Sequence, residues 1–218
     1  MELEYRPIES LDWITFLILF SLMVLASGKY YHPSRFMNFI SLPLNDKYVS
    51  LYERGALFFN GFHLSITVFQ VVNYALFIYL TKEMLWDQSG VVSQYGFYPV
   101  LGGLLLFLVV KTVLQLGQGY IFQLESLVGD LIFYKSSYFN YSSLVVFLVN
   151  ISLVYIWPQS TLLLYIALGL ILVINSVGLL SVIKQHQNLI RANLIYFILY
   201  LCTLEIAPLV LFGSYLKV

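Results

Sequence analysis

From Ser136 to Ile183 the chain carries no Asp, Glu, Lys or Arg. An ordinary soluble fold has about a quarter of its residues charged, so an uncharged stretch of this length has lipid, not water, as its surroundings. Inside a bilayer every backbone polar group must be satisfied within the protein, which leaves helices and closed barrels. Barrel strands alternate polar and apolar residues over about ten positions. These runs do not alternate, and the chain reads as helical. The whole sequence agrees: 60% of its 218 residues are hydrophobic and 10% are charged, with a mean hydropathy of +0.85. The expectation is an all-α, polytopic transmembrane bundle of about six membrane-spanning helices, forming one integral membrane domain over 1–218.

A crossing helix needs about 20 apolar residues. Six segments qualify, approximately 11–28, 56–80, 97–121, 138–156, 161–183 and 193–216. Breaks are legible between them. Tyr30 to Arg35 ends the first, and Lys82, Glu83 and Asp87 to Gly90 end the second. Glu125, Gly129, Asp130 and Lys135 mark the third break. Trp157-Pro158-Gln159-Ser160 forms a tight hairpin, and Lys184 to Asn188 marks the last break. The longest connection, Lys29 to Gly55, mixes Arg35, Lys47 and Arg54 with Phe36, Phe39 and Ile40, a composition suited to the membrane interface.

The residues before the first run are acidic (Glu2, Glu4, Glu9 and Asp12 against Arg6). A signal peptide has a basic start, so the first run is read as a retained helix. Basic connections stay cytoplasmic. The connections after the first, third and fifth spans hold Lys29, Arg35, Lys47, Arg54, Lys135, Lys184 and Arg191. The opposite side holds Arg6, Lys82 and Lys217. Both termini are therefore expected on the outer side. A net charge of zero offers no basic face for nucleic acid. The single cysteine, Cys202, excludes an internal disulfide and reads as a packing residue.

Two charges fall near the middle of apolar spans, Lys111 and Glu205. A charge at bilayer centre costs roughly 2.5–3.5 kcal/mol on insertion scales, and a basic and an acidic group at similar depth cancel that cost by pairing. Lys111 and Glu205 are thus the candidate intramembrane pair, with an interhelix contact, a partner subunit or a hydrated cavity as the alternatives. Lys111, Gln115 and Gln118 share one helix face. Asn60, His63, Thr67, Gln70 and Tyr74, at steps of three and four, form a second polar stripe. Each stripe is either a lined path or an interhelical hydrogen-bond seam. His63 is a proton group, a haem ligand or simply a hydrogen-bonding residue; the other histidines, His32 and His186, fall in connections. Asn150 and Asn175 read as isolated amide contacts. Pro208, just beyond Glu205, predicts a kink in the last span. No nucleophile motif, phosphate loop or zinc motif occurs, and no cofactor or metal is expected.

The segment Tyr196-Phe197-Ile198-Leu199-Tyr200-Leu201-Cys202-Thr203-Leu204-Glu205-Ile206-Ala207-Pro208-Leu209 resembles the closing helix of a family of small polytopic inner-membrane proteins of Bacteroidota, classed as a domain of unknown function. Tyr200, Leu201, Cys202, Leu204, Glu205, Ile206 and Pro208 match that pattern, and Lys111 and Arg191 are similar to basic positions of the family. The resemblance implies a multi-pass protein of a bacterial inner membrane, which makes the outer side periplasmic, and it transfers no catalytic residue. With almost no soluble mass and no catalytic motif, the leading expectation is a non-enzymatic subunit or assembly factor of a larger membrane complex. Its partners would be membrane lipids and another integral membrane protein. The alternatives are a transporter or proton-conducting component using Lys111 and Glu205, disfavoured by the lack of an inverted repeat, and a lipid-acting enzyme using Glu205 or His63.

Overall fold

Hydrocarbon about 30 Å thick demands helices of some 20 residues, and the chain supplies them. The computed structural model describes residues 12–42, 61–85, 94–121, 125–158 and 160–185. Within these the elements are α1 (Asp12–Tyr31), α2 (Pro33–Ile40), α3 (Gly61–Leu85), α4 (Gln94–Ile121), α5 (Glu125–Ile151), which continues into a π-helical turn at Ser152–Ile156, and α6 (Thr161–Gln185). There is no strand among the described residues. Five of the helices, all but the short α2, are long and apolar enough to cross a membrane. The sixth span expected from the sequence, 193–216, lies outside the described residues, and with it Arg191, Cys202, Glu205 and Pro208.

The long helices alternate in direction, which gives the bundle two ends. At the first, Trp13 of α1 packs against Tyr79 of α3 and Phe97 of α4, each with ring centroids 5.6 Å apart. Thr15 there meets the Tyr155 hydroxyl at 2.7 Å. At the opposite end α1 finishes at Lys29 to Tyr31, and Gly28 lies against Phe62 and Ile66 at the start of α3. Aromatic rings lie at both ends, Trp13 and Tyr155 at the first and Tyr30, Tyr31 and Tyr120 at the second, as at both interfaces of a membrane protein.

α3 is the central element. It packs against α1, α4 and α5, while α5 also packs against α6. Two-thirds of the most apolar stretch of α3 is buried (67%), against 6% for that of α4, so α3 is enclosed by the bundle and α4 lies largely exposed at its edge. The core follows from this: Phe69, Ala75, Leu76 and Tyr79 of α3 meet Ile14 and Ile18 of α1, Phe97 of α4 and Phe147 of α5. Tyr74 and Phe77 meet Val146 and Leu153 of α5 and Leu164 and Ala167 of α6.

α2 lies across the Lys29 end. Pro33 opens it, where a missing N–H leaves nothing unsatisfied. Its apolar residues do not all point the same way. Phe36 and Phe39 are buried against Phe62, Ile66, Leu131 and Phe133, whereas Met37 and Ile40 are exposed. The stretch expected to lie in the interface is therefore also a lid on the core. At the other end the chain reverses after Ile156. Trp157 and Pro158 are exposed, and the Ser160 hydroxyl accepts from the Leu163 N–H at 3.4 Å as the N-cap of α6.

One boundary differs from the sequence expectation in a way that matters below. Asp130 and Lys135 sit within α5, which begins at Glu125. Charged residues near a span's end read as a connection by composition. A helix longer than the hydrocarbon is thick carries them without breaking.

Candidate functional site

The polar stripe of α3 turns toward α5. His63 is buried, its Nε2 is 3.2 Å from Ser136 Oγ, and its ring is tilted over Phe133 with centroids 5.6 Å apart. Thr67 donates its hydroxyl to the carbonyl of His63 at 2.8 Å and so satisfies itself on its own helix. Gln70 is buried one turn further along. The Tyr74 hydroxyl meets Ser142 Oγ at 2.7 Å and also bonds to the Asn175 side chain of α6, while its ring stacks on Phe139 at 4.5 Å. Asn150 Nδ2 donates to the carbonyl oxygen of Asn73 at 2.9 Å. Three helices are thus joined by side-chain hydrogen bonds in surroundings where water does not compete.

α5 answers this stripe with small polar residues. Ser137, Asn140, Ser142, Ser143 and Asn150 are all buried. Ser137, Ser142 and Ser143 donate to carbonyls of Phe133, Phe139 and Asn140 within their own helix. A serine can therefore enter a lipid span with its hydroxyl already satisfied and still offer an acceptor to a neighbour. Two side-chain oxygens of this seam, Asn140 Oδ1 and Asn150 Oδ1, are buried with no hydrogen-bond partner.

The stripe of α4 also turns inward. Gln115 is buried, Gln118 half-buried, and both take part in further contacts. Lys111 is half-buried, with Nζ 6.0 Å from the centroid of Phe107, the outer limit of a cation–π contact. Phe107 is one turn nearer the start of α4, so the lysine leans toward bilayer centre, as helical side chains lean toward their N-terminus. The register between α4 and α5 is set where Gly119 meets Val128: a Cβ added at Gly119 would lie 3.1 Å from that of Val128. Two antiparallel helices in that register bring Lys111 level with Lys135 and Ser136. His63 of α3, Lys111 of α4, and Lys135 and Ser136 of α5 therefore occupy one layer.

Hydrolytic chemistry needs a nucleophile, a base, donors for the developing oxyanion and room for substrate. The His63–Ser136 contact offers the first two groups, buried beneath Phe133. Among the described residues no three His, Cys, Asp or Glu converge as metal ligands do. What the arrangement does chemically is hold helices together and bring two lysines into a polar layer. The structure brings His63, Thr67, Gln70 and Tyr74 onto the α3–α5 seam, and Lys111, Gln115 and Gln118 onto the α4–α5 seam. Asn60 and Glu205 lie outside the described residues.

Sequence reasoning missed Lys135 and the α5 face apart from Asn150, whose reading as an amide contact the bond to the Asn73 carbonyl bears out. Ser136, Asn140, Ser143 and Asn150 do recur at helical spacing, but serine and asparagine among tyrosines resemble an interfacial segment more than a buried one.

No curated protein and no solved structure matches this chain. The family whose model covers residues 14–216 is described as "Domain of unknown function (DUF4271)". That match takes in nearly all of the sequence, the five long apolar helices among it, and it makes the chain a member of the DUF4271 family.

Proposed function

We propose that the chain is a non-enzymatic integral subunit or assembly factor of a larger complex in a bacterial inner membrane, with both termini on the periplasmic side. One observation carries this reading: the polar side chains of the bundle are directed into hydrogen bonds between helices. His63 with Ser136, Tyr74 with Ser142 and Asn150 with the Asn73 carbonyl tie the bundle together. The chain offers little mass outside the membrane, so its contacts with other proteins run through lipid-facing helices such as α4. The periplasmic placement of the termini rests on the bias of basic residues toward the Lys29 end.

The test is the mass and composition of the tagged chain extracted at native abundance in mild detergent. Stoichiometric integral membrane partners are expected. Recovery of the chain alone, or only with copies of itself, would overturn the reading.

A second reading draws on Lys111. A lysine held inside a span and leaning toward bilayer centre is a functional group by default, and with Glu205 it would serve a transporter or proton-conducting component. Proton flux into proteoliposomes that responds to pH and vanishes in Lys111→Met would favour it over the first.

A further inference from the structure

Asn140 Oδ1 lies near the middle of α5, buried and with no hydrogen-bond partner. Lipid offers it none. Native proteins match nearly all such atoms, either with another protein group or with an ordered water.

The surroundings of Asn140 follow from three stripes. Ser136, Asn140, Ser143, Phe147 and Asn150 recur at steps of four and three on α5. Ser136, Phe147 and Asn150 of that face meet His63, Phe69 and the Asn73 carbonyl of α3. The parallel register set by these contacts brings Gln70 about level with Ser143, and its long side chain leans back along α3 toward the level of Asn140. On α1 the buried face carries Ile14, Ile18, Ser21 and Gly28. Trp13 on Tyr79 and Gly28 against Phe62 fix the antiparallel register of α1 on α3, which puts Ser21 at the level of Gln70. Ser21, Gln70, Asn140 and Ser143 are each at most 3% exposed. Apolar packing closes this layer on both sides. Ile18, Phe69 and Phe147 lie toward the Trp13 end, and Leu25, Ile66 and Leu144 toward the Lys29 end.

The layer is rich in acceptors. The Ser21 hydroxyl donates to the Ile18 carbonyl and that of Ser143 to the Asn140 carbonyl, so both serines have only lone pairs left to offer a neighbour. Asn140 Oδ1 is a third acceptor, and the Gln70 amide brings both donors and an acceptor. Two serines also stand where the adjoining layers carry isoleucine, leucine and phenylalanine, which leaves room for something small. No Asp or Glu lies within two turns of these four residues on their own helices, so a metal cation would find no counter-charge there. A small neutral donor fits.

We propose that this layer binds a water molecule that donates to Asn140 Oδ1 and Ser21 Oγ and accepts from the Gln70 amide. Three bonds of this kind are usual for a buried water. The water joins α1, α3 and α5 near the middle of the membrane. It gives α1, whose packing on either side of Ser21 is apolar, a polar tie to the α3–α5 seam.

The experiment is water-edited magic-angle-spinning NMR of the full chain in bilayers of deuterated lipid, with ¹⁵N in the asparagine and glutamine side chains and a sodium-free buffer. Magnetisation from water should reach the Asn140 and Gln70 amides several-fold faster than that of Asn175, whose side chain is bonded to the Ile171 carbonyl and to Tyr74. Asn140→Leu, close in volume, removes the acceptor and should abolish the gain at Gln70. Ser21→Val fills the layer with hydrocarbon; it should abolish the gain at both amides and serves if Asn140→Leu fails to fold. Transfer to Asn140 no faster than to Asn175 would overturn the proposal, since Gln70 would then bond Asn140 directly. A gain that survives either substitution would mean general wetting of the seam and would equally sink it. So would a gain that appears only when sodium is added, in favour of a cation site.

Discussion

Gly178 is where the packing of α6 on α5 can be tested most sharply. A Cβ built there would lie 2.5 Å from Cγ, 2.8 Å from Cβ and 2.9 Å from Cδ2 of Tyr138. Real contacts of this kind begin near 3.4 Å, so the tyrosine or the whole helix must move by most of an ångström. Tyr138 has little freedom to do so: it is 2% exposed and belongs to a cluster with Phe36, Phe39, Leu131 and Tyr134. Forced overpacking of this kind costs about 1–3 kcal/mol. The same substitution gains up to ~1 kcal/mol of helix propensity, so Gly178→Ala should lose about 0–2 kcal/mol net. Gly169, two and a half turns earlier on α6, has nothing within 4 Å of its added Cβ. Gly169→Ala therefore receives the propensity gain alone and serves as the control. Both variants would be unfolded in mixed micelles by increasing SDS, following intrinsic tryptophan fluorescence. If Gly178→Ala proved as stable as Gly169→Ala, the close approach of α6 to Tyr138 would be wrong, and with it the α5–α6 register.

Tyr74→Phe removes a hydroxyl that meets Ser142 and Asn175 but keeps the ring on Phe139. It should cost about 0.6–1.7 kcal/mol in the same SDS titration, the range for interhelical hydrogen bonds in lipid, and a loss of several kcal/mol would mean that the seam acts as a unit. The pairing of Lys111 with Glu205 stands as a proposal, and a double-mutant cycle tests it. Lys111→Met and Glu205→Gln alone should each lower the folded yield, since breaking a buried pair costs about 3–5 kcal/mol, and the double variant should recover it. Additive losses, measured by detergent-resistant folded protein, would show that the two residues do not meet.

The α3–α5 seam shows where sequence reasoning reaches its limit. His63, Thr67, Gln70 and Tyr74 form a stripe by spacing alone, because a helix repeats every 3.6 residues whatever surrounds it. Whether such a stripe is a path or a seam depends on what lies opposite. Here the opposite face is Ser136, Asn140, Ser142 and Asn150 of α5, residues about seventy positions away that carry no charge to announce them. Lys135 was misplaced for the opposite reason. Its charge is conspicuous and read as a break, yet α5 runs through it.

The sequence by itself determined that the chain spans a membrane as helices. That follows from the length of its apolar runs, since lipid offers no partner to an unpaired backbone group, and each such run is a local property. Only the tertiary structure decided that α3 is central and α4 peripheral, that Phe36 and Phe39 close the Lys29 end, and that His63, Lys111, Lys135 and Ser136 share one layer. All long helices here are apolar nearly all round, so composition does not distinguish lipid from protein as a neighbour. That choice is made by shape, by a glycine at 119 against Val128 and another at 178 against Tyr138, and by hydrogen bonds that exist only once two helices have met.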